Sequence, residues 1–279
     1  MIDSKTKLVA LIGHPVEHSL SPIMQNAAFR DKNLNYVYLA FDVLPEKLKY
    51  VIDGAKALGI VGFNVTIPHK IEIIKYLDKL DKSAELIGAV NTIKVDKEAI
   101  GYNTDGIGAR KALEEKIGKV ENKNILIFGA GGAARAVAFE LAKNNNIIIA
   151  NRTLDKAKKL AEEIIEKLGK NSDEVKYVPL NTDLKDVDIV INATSVGMKK
   201  DDKPLATAEQ LRGKVVMDLV YNPLETPLLK EAKKVNAIAI DGLGMLIHQG
   251  AEAFKIWTGV EPNINVMREA IMKYLNYSH

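Results

Sequence analysis

The chain has 279 residues, 47% of them apolar and 27% charged, with a formal net charge of +3 and no cysteine. That is the balance of an ordinary globular protein, and at roughly 100–200 residues per domain the length favours two domains. Disulfides, thiolate metal sites and thiol nucleophiles are excluded, and without a block of basic residues among aromatics no nucleic-acid partner is expected. No apolar run reaches the roughly 18 residues of a membrane span, and "MIDSKTKLVALIGHP" has too short an apolar run for a secretory signal, so no membrane partner and a cytoplasmic location are expected.

The N-terminal part reads as an α/β segment. "KLVALIGHP" is an expected strand. "SLSPIMQNAAFRDKNL" is an expected helix, with Ser21 as its N-cap and Pro22 at the first helical position. "NYVYLAFDV" is a strand, "LPEKLKYVIDGAKALG" a helix and "VGFNVTI" a third strand. In "VGFNVTIPHK", Val61, Phe63, Val65 and Ile67 alternate with smaller or polar residues, and Pro68 and Lys70 follow. Asn64, Thr66 and Lys70 thus set an amide, a hydroxyl and an ammonium where a plain strand would end. This βαβαβ pattern carries no phosphate loop, so it is a domain with something other than a nucleotide to bind.

The clearest local signal follows in "NKNILIFGAGGAARAVAFELAKNNNIIIANRT". Ile125–Phe128 is a short continuous apolar run, as a buried parallel strand should be. Gly129, Ala130, Gly131, Gly132, Ala133 and Ala134 then match G-x-G-x-x-A, and apolar residues recur at helical spacing beyond them. Gly129 permits the tight turn, Gly131 lets backbone approach a pyrophosphate, and Ala134 lets helix pack on strand. The helix N-terminus offers free N–H groups to the phosphates. Ile147–Ala150 is the next strand. Where an NAD binder usually carries an acid for the ribose hydroxyls, this chain has Asn151, Arg152 and Thr153. A guanidinium pairs with a 2′-phosphate that an acid would repel, and Lys156 in the next helix adds positive field, so the expected cofactor is NADP.

The alternation continues with a helix over 154–168 and strands over 175–178, 187–191, 214–219 and 237–241. The fold class expected is therefore α/β: a C-terminal Rossmann-type doubly wound parallel sheet, plus an N-terminal α/β substrate domain, with a cleft between them. Ligands of such sheets lie beyond the carboxyl ends of the strands. Asn192, Thr194, Leu219, Tyr221 and Gly242 fall there, with the nicotinamide expected near Leu219 to Tyr221 and Gly242. His14, His18, His69 and His248 lack metal-ligand spacing, so no metal is expected. Trp257 reads as core packing.

The stretches "GHPVEHSLSP", "GFNVTIPHK", "GAVNTI", "GYNTDGIG", "GAGGAARA", "NRT", "NATSVGM", "DLVYNPLETPLL" and "DGLGMLIHQGAEAF" occur in an order that resembles the shikimate dehydrogenases, over essentially the whole chain. One departure is Gln25, where the family often has histidine. The resemblance implies NADP-dependent, reversible reduction of 3-dehydroshikimate to shikimate, in the pathway to the aromatic amino acids. It implies Lys70 and Asp105 as the catalytic pair, with Lys70 moving the proton and Asp105 binding and orienting the adjacent hydroxyl. It implies that Ser19, Ser21 and Tyr221 donate to the substrate carboxylate and that Asn91 and Gln249 bond ring hydroxyls, with Asn64 and Thr66 in the same pocket. A substrate-binding and catalytic domain is expected over 1–104 with 243–279, and an NADP-binding domain over 105–242. Two alternatives stay open: a quinate/shikimate dehydrogenase using NAD or NADP, and a non-catalytic sensor of dinucleotide and a shikimate-like ligand. A homodimer is left open as the assembly.

Overall fold

The computed structural model describes residues 2–277. The chain divides into two compact units, Met1–Thr104 with Ile247–His279, and Asp105–Leu246.

The first unit opens with β1 (Lys7–Gly13), α1 (Ser21–Asp31) and β2 (Tyr36–Asp42), then a 3-10 turn and α2 (Val51–Leu58). β3 (Gly62–Val65), β4 (Lys79–Leu80), α3 (Lys82–Ile87), β5 (Thr92–Val95) and β6 (Ala99–Tyr102) complete its first segment. The strands form one sheet in the order β2-β1-β3-β5-β6-β4. β1 pairs in parallel with both β2 and β3, which is why its residues from Val9 to Gly13 are all buried. The sheet is mixed rather than the plain βαβαβ set expected, because β5 pairs antiparallel with β3 and forms a hairpin with β6. Phe63, Val65, Ile12, Ile93 and Leu48 lie in one apolar cluster on this sheet.

The start of α1 differs from expectation. Leu20, not Ser21, holds the N-cap position, with φ −85 and ψ −6 and no side-chain cap. Ser21 is already helical, so its own N–H needs an acceptor, and the Ser19 hydroxyl supplies it at 3.2 Å. The helix expected over "LPEKLKYVIDGAKALG" begins as a 3-10 turn at Pro45–Tyr50 before α2.

The second unit runs α4 (Asp105–Ile117), β7 (Asn124–Phe128), α5 (Gly132–Ala142), β8 (Asn146–Ala150), α6 (Leu154–Leu168) and β9 (Val175–Val178). It continues through β10 (Ile189–Asn192), α7 (Ala208–Leu211), β11 (Val215–Asp218), α8 (Pro227–Lys234) and β12 (Ile238–Ile240). The sheet order is β12-β11-β10-β7-β8-β9, every neighbouring pair parallel. The chain starts at the centre on β7, winds outward to β9, then restarts on the other side of β7 at β10. That reversal makes a topological switch point between β7 and β10, where doubly wound sheets bind dinucleotides. The strands are short apolar runs because helices cover both faces. Leu126, Phe128, Val190, Val216 and Leu229 belong to the core of one face.

α9 (Gly242–Thr258) starts in the second unit and belongs to the first from Ile247, and α10 (Ile264–Tyr277) packs on α1. Trp257 is buried, as expected, and its indole N–H donates to the Ile93 carbonyl at 2.9 Å. Gln25 on α1 is fully buried. It donates to the Gly250 carbonyl at 2.8 Å, so the departure from histidine lies in the core of the unit. Among the described residues no helix is long and apolar enough to cross a membrane.

Candidate active site

Of the polar residues singled out in the first unit, Asn64, Asn91 and Gln249 share one largely buried network. Asn64, third residue of β3, is 5% exposed. Its amide N–H groups go to the Asn91 carbonyl (3.2 Å) and the Thr92 hydroxyl (3.1 Å), while its Oδ1 accepts from the Tyr38 hydroxyl at 2.8 Å. Both of its donors are committed inside the unit, so toward a ligand Asn64 can offer only a lone pair. Asn91, at the mouth of β5, donates to the Thr104 hydroxyl at 2.9 Å and accepts from the Thr104 N–H at 2.8 Å. It also reaches the Gln249 Oε1 on α9 at 3.5 Å.

Thr66 follows β3 and is half-buried, packed against the end of β1 through its N–H bond to the Ile12 carbonyl at 2.9 Å. Lys70 lies one turn further on. Its carbonyl accepts from the Val90 N–H at 2.8 Å, which holds the turn beside the segment that carries Asn91. His69 before it is buried, with its Nε2 at 2.6 Å from the Val43 carbonyl, a structural anchor for that turn. Ser19 is half-buried and Ser21 buried, joined by the N–H bond described above.

Tyr38, Thr92 and Thr104 were not singled out from the sequence. Tyr38 bonds Asn64, Thr92 links Asn64 to Asn91, and Thr104 bonds Asn91. A tyrosine two residues into an otherwise apolar strand is a weak signal, since burial and partner both depend on the sheet. Burial pushes the Tyr38 phenol far above its ordinary range, only slightly offset by the neighbouring Ser21 hydroxyl, so it stays a donor at any working pH.

In the second unit, Gly129 sits at the end of β7 with φ 113, a left-handed conformation that side chains avoid. A Cβ there would also come within 3.0 Å of the Ala193 carbonyl beyond β10, so the glycine turn and the 193–194 loop meet at the switch point. Gly131 and Gly132 are different. A Cβ on either would meet no protein atom within 4 Å. The protein leaves open space in front of the α5 N-terminus, whose cap residue Gly131 has no side chain to occupy its N–H groups. That is the cradle a pyrophosphate requires. Ala130 and Ala133 flank it, half-buried.

Asn151, Arg152 and Thr153 follow β8. Asn151 donates to the Thr153 carbonyl at 2.8 Å, closing the turn into α6. Arg152 and Lys156 are exposed, and neither has a carboxylate partner among the described residues. A guanidinium and an ammonium without a carboxylate partner, in the segment that follows the second strand of the winding, have the chemistry to meet a doubly charged anion.

Thr194, Leu219 and Gly242 cluster past β10, β11 and β12. Thr194 donates from its hydroxyl to the Asn192 Oδ1 at 2.7 Å, and the Leu219 N–H donates to the Asn192 carbonyl at 2.9 Å. Gly242 lies so close to this loop that a Cβ would sit 2.5 Å from the Leu219 carbonyl. Tyr221 is half-buried, and burial raises its phenol pKa, keeping it a neutral donor. Asp105, first residue of α4, is 5% exposed, a carboxylate in the favourable field of a helix N-terminus.

Together these features define a doubly wound α/β unit of the dinucleotide-binding type, with an open glycine turn and two exposed cations beyond β8, and an α/β unit that carries a network of amides and hydroxyls. Residues 11–93 match the shikimate dehydrogenase substrate binding domain, 111–245 the shikimate / quinate 5-dehydrogenase family and 242–272 the shikimate 5′-dehydrogenase C-terminal domain. The chain is 74% identical to a shikimate dehydrogenase (NADP(+)) of Methanocaldococcus jannaschii over 98% of each chain. It is 60% identical to one of Methanococcus maripaludis over 97% of this chain and 98% of that one. A solved shikimate dehydrogenase in complex with NADP+ superposes with a TM-score of 0.96 at 73% identity, covering 98% of this chain and 97% of that one. A quinate dehydrogenase of Corynebacterium glutamicum in complex with NAD superposes at 0.88 and 31% identity, covering 96% and 99%. The chain belongs to the shikimate dehydrogenase family.

Proposed function

We propose that this chain catalyses the reversible, NADP-dependent reduction of 3-dehydroshikimate to shikimate. The observation that carries this reading is the uncommitted pair Arg152 and Lys156 beyond β8, on a chain 74% identical to an NADP(+)-named relative. Bound NADP(H) supplies or accepts the hydride at the ring carbon that bears the oxygen.

The chain's own residues bind, orient and move one proton. Gly129, Ala130, Gly131, Gly132 and Ala133 with the α5 N-terminus hold the pyrophosphate. Asn151, Arg152, Thr153 and Lys156 hold the 2′-phosphorylated ribose, and Thr194, Leu219 and Gly242 bound the nicotinamide end. Ser19, Ser21 and Tyr221 donate to the substrate carboxylate, hydroxyl donors that bind an acid less tightly than arginine and so permit release. Asn64 accepts from a ring hydroxyl through its remaining lone pair, with Thr66, Asn91 and Gln249 completing the set.

In reduction, Lys70 gives its proton to the carbonyl oxygen as the hydride arrives at the carbon. In oxidation it takes that proton back. Asp105 bonds and orients the hydroxyl next to the reacting centre. In this reading 1–104 with 243–279 is the substrate-binding and catalytic domain and 105–242 the NADP-binding domain. A cytoplasmic homodimer is part of the proposal, to be read by light scattering and cell fractionation.

The test is NADPH consumption with 3-dehydroshikimate and purified chain, followed by its absorbance. Turnover that needs both compounds supports the reading; a chain that binds both and turns over neither is a sensor instead.

A further inference from the structure

Asp218, the last residue of β11, is fully buried, and among the described residues no cation pairs with it. Its Oδ1 accepts from the Asn192 amide at 2.8 Å and the Val220 N–H at 3.0 Å, and its Oδ2 accepts from the Thr226 hydroxyl at 2.6 Å. All three partners are donors, so the position demands an acceptor-only group. Burial pushes its carboxyl above the usual range, against the opposing effect of bonds from Thr226, Val220 and Asn192. Burying a carboxyl group costs free energy that its three hydrogen bonds must offset, so each of them is held firmly.

The partners show what that is. Val220 and Thr226 lie at the two ends of the loop that carries Tyr221, with Leu219 before it. Asn192 in turn fixes the 193–197 loop, taking the Thr194 N–H and hydroxyl on its Oδ1 at 3.0 and 2.7 Å and donating to the Val196 carbonyl at 2.8 Å. Parallel pairing puts Asn192 and Asp218 in register at the ends of adjacent strands. One carboxylate therefore ties both loops of the nicotinamide end. The glycine turn after β7 and Arg152 after β8 make no bond to it.

We propose that Asp218 is a positioning residue for the nicotinamide end of the cofactor site: it touches no ligand but holds the Thr194 loop and the Leu219–Tyr221 loop in one arrangement. The proposal rests on the NADP reading above. It separates the two ends of one ligand, which a merely stabilising role does not.

The experiment compares Asp218→Ala, Asp218→Asn and wild type by calorimetric titration with NADP+ and with adenosine 2′,5′-bisphosphate, which carries the adenine and 2′-phosphate but no nicotinamide. For Asp218→Ala, NADP+ affinity is expected to weaken by about tenfold while the bisphosphate stays within about twofold of wild type, since only the nicotinamide end loses its placement. Its kcat is expected to fall by about tenfold to a hundredfold, with a larger primary deuterium isotope effect from 4-deuterated NADPH as hydride transfer becomes slower. Asp218→Asn keeps an acceptor for Asn192 and Val220 and should fall between. Should the Asp218 variants not fold, Thr226→Val removes one donor under the same readouts, with Thr226→Ser as the rescue. Equal weakening of both ligands, or no change in either, overturns the proposal. Failure of wild type to bind the bisphosphate instead overturns the NADP reading.

Discussion

The Tyr38 hydroxyl donates to the Asn64 Oδ1 at 2.8 Å inside the first unit, and both side chains are buried. The bond fixes which end of the Asn64 amide faces which neighbour. With its N–H groups committed to Asn91 and Thr92, Asn64 can present only acceptor character to a substrate. Tyr38→Phe removes one oxygen atom and leaves that acceptor short of its internal donor. The variant should lose about 1–1.5 kcal/mol of stability in urea unfolding. KM for shikimate should rise several-fold while KM for NADP+ stays unchanged, and a shift in both would show the network to be structural only.

Lys70 acts on the transition state in the proposed mechanism. Lys70→Ala should lower kcat by about a hundredfold to ten-thousandfold, with a much smaller rise in KM. A change dominated by KM would make Lys70 a binding group. Steady-state kinetics in the direction of shikimate oxidation separates the two.

Among the described residues Arg152 has no carboxylate partner to lose, so its removal should act on the cofactor alone. Arg152→Ala should reduce kcat/KM for NADP+ by about tenfold to a hundredfold, the worth of a charge-assisted bond to phosphate, and leave the rate with NAD+ near its starting value. Parallel losses with the two cofactors would contradict the 2′-phosphate role.

α4 is fastened to α5 by Arg110, which bonds Glu140 and Glu114 at 2.8 Å each. Burial pushes the Glu140 carboxyl up, but its bonds to Lys143 and Arg110 outweigh this and hold it below the ordinary range. A depressed folded-state pKa means stability that is present above the unfolded carboxylate pKa and lost as pH falls through the lower folded value. Glu140→Gln should therefore destabilise the protein by about 1–2 kcal/mol at neutral pH, with the difference shrinking once wild-type Glu140 is itself protonated. Urea midpoints across an acid series read this directly.

The second unit was the more legible in sequence, for a physical reason. Parallel strands buried on both faces must be continuous apolar runs, so Ile125–Phe128 and Ile147–Ala150 stand out, and the glycine turn between strand and helix has few other uses. The first unit hid its hairpin. β5 and β6 are four residues each, and "NTIKV" reads as part of a motif before it reads as a strand. Ser21 looked like a cap because serine before proline is a common helix start, yet cap status depends on backbone angles that put Leu20 there. Asn192 and Asp218 are 26 residues apart and meet only through strand pairing. The one signal for them was a polar residue closing each of two apolar strands, in "IVINATS" and "VVMDLVY".

The most direct measurement is kcat/KM for shikimate and for quinate, each with NADP+ and with NAD+, on the wild-type chain. Shikimate with NADP+ should exceed each other combination by about tenfold or more, as expected of a site whose buried polar groups are matched to one ligand. Equal or better efficiency for quinate with NAD+ would contradict the account, because Arg152 and Lys156 would then have no phosphate to bind.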